Sequence, residues 1–256
     1  MKHLLTTLSL GALLLMGGPT TVQAEKVTVP LTEDGAWSFN SQPSAVYYNG
    51  KTYFTWISSS KALIVASYDH TTGETKEKVV STGYSDDFSS PAITVRGNGQ
   101  LLLFSSDNKK ENGFYSWYST NAEDITEWSS SQKQTGYGIS STTPHMMGND
   151  LVVFWRSKNN IGYSLFTNVA DKTGNLPAVK TRAGFIGSDI GNAYAKRDEV
   201  PQMRTCQAAD GTIHMVVTHL GTGLTYKNST VHYLKINKNA TGDKLEFKKA
   251  DGTAIS

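Results

Sequence analysis

The sequence predicts an all-β fold, a β-propeller of four-stranded antiparallel blades. Three observations predict it. A proline opens the same short pattern four times, at Pro43, Pro91, Pro144 and Pro201, with spacings of 48, 53 and 57 residues. After each proline come a short apolar stretch, a turn of Asn, Asp or Gly, and a strongly apolar run. Helix-forming runs are scarce, while Tyr, Trp, Ser, Thr, Asn and Gly are abundant. A hairpin-based period of about 40–50 residues marks a propeller, in which each repeat forms one blade.

The first blade is expected near 43–81. Ser44–Tyr48 and Lys51–Ser58 flank Asn49-Gly50, a strong hairpin signal between two apolar runs. Ala62–Asp69 and Glu77–Ser81 follow, separated by the turn at His70-Thr-Thr-Gly73. The second blade, near 91–135, has Ala92–Arg96, a turn at Gly97-Asn-Gly99, Gln100–Ser105, Gly113–Thr120 and an outer strand near Gln132–Thr135. The third, near 144–182, has His145–Met147, Leu151–Ser157, Ile161–Thr167 and Ala178–Arg182. The fourth, near 201–248, has Gln202–Ala208, Thr212–His219, Thr230–Ile236 and Leu245–Lys248. Ser119 to Trp128 reads as a degenerate Asp-box, with Asn121 and Asp124 as turn acceptors and Trp128 as the plug beneath.

Residues 1–24 stand outside the fold. Lys2, the apolar stretch Leu4 to Met16 and the small residues Val22 and Ala24 form a secretory signal peptide, cleaved before Glu25. The propeller domain is then 25–256, and a secreted or periplasmic location is expected. The formal net charge of +2 falls to about +1 without Lys2, which provides no electrostatic basis for nucleic-acid or membrane binding. Cys206 is the only cysteine, so no disulfide can form within the chain.

Particular segments resemble a known family. Tyr47-Tyr-Asn-Gly-Lys-Thr-Tyr53, Ala66-Ser-Tyr-Asp-His70, Asp86-Asp-Phe-Ser-Ser-Pro91, Val153-Phe-Trp-Arg156 and His232-Tyr-Leu-Lys235 are similar to the BNR-4 repeat family. The resemblance covers nearly the whole mature chain. It implies a secreted seven-bladed propeller like the ulvan lyases and some glycosidases acting on rhamnose–uronate polysaccharides. Four blades exhaust the chain, so it is expected to be the first part of a larger propeller, truncated at the C-terminus.

The implied activity is β-elimination at a uronic acid of an anionic polysaccharide, with no required cofactor. That chemistry needs a carboxylate clamp, a base for the proton on C5 and an acid for the leaving oxygen. Arg suits the clamp because its planar fork binds carboxylate bidentately. Arg156 matches the family pattern. Three positions depart from it: Phe88 and the Ser106-Asp107-Asn108 segment stand where family histidines are expected, and Thr143 replaces a tyrosine. His145 and Arg204, near the starts of inner strands, become the substitute catalytic candidates beside Arg156. Asp87, Tyr84, Tyr137 and Gln202 are candidate substrate-binding residues on loops or inner strands. Cys206, His219 and His232 are candidate ligands of a structural zinc ion, and calcium is a further candidate ion. Two other readings stay open, a glycan-binding propeller without catalysis and a glycoside hydrolase of sialidase or rhamnosidase type.

Overall fold

The computed structural model describes residues 32–36, 42–84, 89, 91–106, 112–157, 160–184, 200–220 and 231–255. The side chains of 112, 135–140, 157, 160, 184, 200–201 and 219–220 are outside the description. All described strands belong to one compact unit, Asp34–Ser256.

The first blade is the meander β1 (Ala45–Tyr48), β2 (Lys51–Ile57), β3 (Ala62–Asp69) and β4 (Thr75–Thr82). The second has β5 (Ala92–Val95), β6 (Leu101–Ser106), β7 (Asn112–Tyr118) and the first part of β8 (Gln132–Met147). The third uses the rest of β8 with β9 (Asp150–Ser157), β10 (Asn160–Phe166) and β11 (Thr181–Gly184). The fourth is β12 (Val200–Gln207), β13 (Ile213–Leu220), β14 (Val231–Lys238) and β15 (Leu245–Lys248). Among the described residues four antiparallel meanders thus arise from fifteen strands, because β8 serves two blades.

The shared strand differs from the sequence expectation of two short strands with a loop between them. β8 runs unbroken for 16 residues and absorbs the change of partner in a register shift between Ile139 and Ser141. The β-branched Thr142 and Thr143 favour extended backbone there. Pro144 does not interrupt it. Proline is tolerated in an edge strand, where a missing N–H need not break a ladder.

The hairpins follow their turn chemistry. Tyr48 pairs with Lys51 across Asn49 and Gly50, which have φ of 46° and 80°. Two consecutive left-handed residues define a type I′ turn, and Asn-Gly adopts it at least cost. The Asp-box is also as expected in outline. The Trp128 indole donates to the Ile125 carbonyl at 2.8 Å, and Asp124 accepts from both the backbone and the hydroxyl of Thr126.

Strand alternation explains how the blades associate. In β6, Leu101 and Leu103 face the first blade, while Leu102 and Phe104 face the third. All six residues of β6 are buried. Three apolar clusters result, one per seam between consecutive blades. The third seam packs Val152, Phe154 and Tyr163 against Met203, Met215 and Leu234. The opposite face of the fourth blade exposes Val216, Val231 and Tyr233.

Polar contacts close the seams at the rim of the tight turns. Tyr48 Oη donates to the Gly97 carbonyl at 3.3 Å, and Asn49 Nδ2 to Glu123 Oε1 at 2.9 Å. Between the second and third blades, fully buried Arg96 donates to the Gln100 side chain and to the Lys172 carbonyl. Burial lowers its pKa to about 10. Lys238 pairs with Asp150 at 2.8 Å between the third and fourth.

Gly162 lies opposite Trp155, whose ring crosses the glycine so closely that a Cβ would run into it. The indole is held there by donating to Ser164 Oγ at 3.1 Å. Gly162→Val should therefore displace Trp155 and cost about 1–3 kcal/mol. A thermal melt should show the midpoint falling by several degrees, with loss of near-ultraviolet tryptophan dichroism.

Candidate functional site

The rim opposite the tight turns carries the ends of β2, β6, β9 and β13. At these ends the apolar runs give way to polar residues. Near its end β9 carries Trp155-Arg156, and alternation turns Arg156 to the same face as Val152 and Phe154, toward the fourth blade. Arg156 is only 7% exposed and pairs in register with Ser141 on β8 and Ile161 on β10. Burial lowers its pKa below the usual guanidinium value, yet a guanidinium remains charged at neutral pH.

Small hydroxyl side chains surround this end of the strands. Ser141, Thr142 and Thr143 are buried along β8. Ser105 and Ser106 are fully buried at the end of β6. Ser105 Oγ donates to the Ser89 carbonyl at 2.6 Å. Ser106 Oγ has no hydrogen-bond partner among the described residues. The Gln42 amide donates to the Thr142 carbonyl at 3.2 Å, laying the lead-in segment against β8. A buried cation among hydroxyl donors can bind and orient a carboxylate.

His145 lies deeper in the same seam. It pairs with Val152, four residues along β9 from Arg156, a separation of about 13 Å at the rise of a strand. Its Nε2 is 2.7 Å from Thr205 Oγ1 on β12, and its ring meets Phe154 edge-on. Burial lowers its pKa to about 4. The imidazole is therefore neutral at pH 7 and a weak base, engaged across the seam rather than directed at Arg156.

Arg204 is on the other face of β12. Met203 is buried in the seam and Thr205 meets His145, whereas Arg204 is exposed and pairs in register with Val216. Its Nη1 donates to the Met203 carbonyl at 3.1 Å. Gln202 shares that outer face by alternation. The three expected catalytic residues are thus not brought together.

The expected zinc ligands do not converge either, which corrects that reading. Cys206 pairs with His214 and is exposed on the outer face of the fourth blade. His232 pairs with Val217, which is buried in the seam on the opposite face. A sheet separates the two, so they cannot share one ion. Among the described residues no cluster of His, Cys, Asp and Glu could hold a metal. Asp87 and the side chains of Tyr137 and His219 lie outside the described residues.

Tyr84 is placed in a cavity of about 190 Å³ with Tyr115, Trp117, Ser81, Thr82 and Ser131. The sequence marked Tyr84 as a candidate substrate-binding residue and assigned no role to Tyr115 or Trp117. A second cavity, of about 410 Å³, includes Lys51, Asp69, Glu123 and Asp124. Its carboxylates are already engaged. Asp69 accepts from the Thr71 and Thr72 amides, whose hydrogen bonds hold its pKa below the usual value. Asn49 occupies Glu123, and Thr126 occupies Asp124.

The fold and this rim define a β-propeller whose blades meet at a buried arginine set among hydroxyl groups. The chain belongs to the BNR repeat-containing family (BNR_4), whose family profile matches residues 51–256. No curated protein is similar to it in sequence. Among solved structures it is similar to an ulvan lyase of polysaccharide lyase family PL25, with 15% identity and a TM-score of 0.59. The same kind of enzyme bound to -[GlcA(1-4)Rha3S]- is 13% identical, with a TM-score of 0.57. Both alignments cover 87% of this chain and 57% of the other. The polysaccharide lyase Uly1 is 11% identical with a TM-score of 0.53, over 83% of this chain and 55% of that one. The chain spans little more than half the length of these structures.

The low pKa of His145 has a consequence for stability. The unfolded imidazole titrates near 6.5 and the folded one near 4, so between those values the unfolded state binds more protons. Stability should therefore fall as the pH drops through this window, by roughly 3 kcal/mol at most. His145→Gln, which can still bond Thr205, should flatten the dependence of melting temperature on pH between 6.5 and 4.

Proposed function

We propose that this protein is an exported polysaccharide lyase that clamps a uronate carboxylate with Arg156 and cleaves the chain by β-elimination. The observation that carries this reading is a buried guanidinium near the end of β9, on the sheet face shared by the buried hydroxyl residues Ser141 and Thr143 of β8. Membership of the BNR repeat-containing family and the fold shared with ulvan lyases support it. Neutralising the carboxylate acidifies the C5 proton, and negative charge then develops on a group already held by the cation. Export follows from the signal peptide at residues 1–24.

A second reading is glycan binding without cleavage, favoured by Thr143. This buried threonine stands where the lyase pattern implies a tyrosine, and a threonine hydroxyl is too weak an acid to replace a phenol in proton transfer.

Incubation with uronate polysaccharides separates the readings. A lyase generates an unsaturated uronate, followed by its ultraviolet absorbance. Arg156→Ala should lower kcat/KM by about 100-fold or more, and Arg156→Lys should recover only part, because it restores charge without the planar fork. Binding with no absorbance on any substrate would establish the non-catalytic reading. New reducing ends without absorbance would establish a hydrolase.

A further inference from the structure

We infer that the cavity formed by Tyr84, Tyr115 and Trp117 is a second saccharide site, one that takes a single neutral sugar ring. This inference rests on the polysaccharide reading of the protein and adds to it a subsite remote from Arg156. The cavity lies in the seam between the first and second blades, while Arg156 faces the seam between the third and fourth. The second and third blades stand between them.

Three features carry the inference. The first is the pairing of aromatic walls with hydroxyl groups. Tyr84 and Tyr115 are half-buried, so part of each ring is open, and Trp117 closes the back at 4% exposure. Tyr115 and Trp117 are tilted at 39° with centroids 6.1 Å apart, so together they form a bent wall. Ser81, Thr82 and Ser131 complete the lining. A pyranose ring has an apolar C–H face and an equatorial belt of hydroxyls. The aromatic wall suits the first and the Ser and Thr hydroxyls suit the second.

The second feature is charge. Among the described residues, no ionisable acid or base other than the two phenols lines the cavity. A uronate carboxylate or a sulfate ester would find no cation in that lining, so the selected ring is neutral. The third is shape and rigidity. At about 190 Å³ the cavity is smaller than the roughly 300–1,000 Å³ of sites that engulf a drug-sized ligand, and it fits one ring rather than a chain. The approach of Tyr84 is fixed, because the amides of Gly83 and Tyr84 both donate to the Lys61 carbonyl, at 3.0 and 3.1 Å. Gly83 has φ of 89°, a left-handed conformation that aims the following residue at the cavity. A platform held this way loses little entropy when a ligand stacks on it.

The test uses the full chain, with neutral rhamnose-, glucose- and xylose-based tetrasaccharides and polymeric ulvan as probes. Saturation-transfer NMR and affinity electrophoresis report binding. At least one neutral tetrasaccharide should bind with an affinity unchanged in high salt, because no ion pair is involved. Tyr84→Ala and Tyr115→Ala should each weaken that binding by about 3- to 10-fold, while Tyr84→Phe and Tyr115→Phe should retain most of it, since a phenyl ring still stacks. Unchanged near-ultraviolet dichroism from Trp117 establishes that the alanine variants are folded. If ulvan binds through Arg156 but no neutral tetrasaccharide binds, the second site is overturned and the proposed function stands. The second site is likewise overturned if folded alanine variants bind as the wild type does. If no saccharide of either kind binds, both fall together.

Discussion

The apolar faces of the blades are buried only against neighbouring blades, and no blade can bury its own. The structure depends on this constraint. It explains why β6 is apolar along most of its length and why its odd and even residues serve different seams. It also explains the polar outer strand β4, which has a single partner strand and solvent beside it. Stability in such an array comes from nearest-neighbour interfaces more than from individual sheets. Apolar packing fills the middle of each seam, and side-chain-to-backbone hydrogen bonds such as Tyr48 to Gly97 fix how far the blades slide.

The two rims divide the work. One is built from short turns whose backbone groups are satisfied locally by Asn, Asp and Thr. At Asp124, burial pushes the carboxyl pKa up, but hydrogen bonds from Thr126 and Asn121 outweigh it and hold the group below its usual value. The second strands bring hydroxyls and a guanidinium to the other rim. Chemistry placed there would not compete with the contacts that hold the turns.

Much of the fold was legible because its signals are local. Asn49-Gly50 specifies a turn whatever surrounds it, and Trp128 plugs a turn made by residues within ten positions of it. β8 was not legible. Pro144 and the Gly- and Ser-containing stretch before it read as a break, and only pairing with both β7 and β9 keeps that stretch extended. The candidate site shows the same division. Arg156 was a candidate from the sequence because it matches the family pattern. Its hydroxyl companions were not, since Ser and Thr before a proline look like any loop. Tyr115 and Trp117 belong to a cavity only because the first blade brings Tyr84 beside them. The separation of Cys206 from His232 required the register between β12, β13 and β14, which depends on how the sheet is assembled.

The shared strand also bears on how the blades are joined. Because β8 contributes its first part to one blade and its second part to the next, the two blades are joined by one continuous strand rather than by a loop. The second and third blades therefore belong to a single seven-stranded sheet, while the first and fourth are each a sheet of their own. The buried arginine and its hydroxyl neighbours are mounted on this sheet. The candidate site is thus held on the one sheet that two blades share.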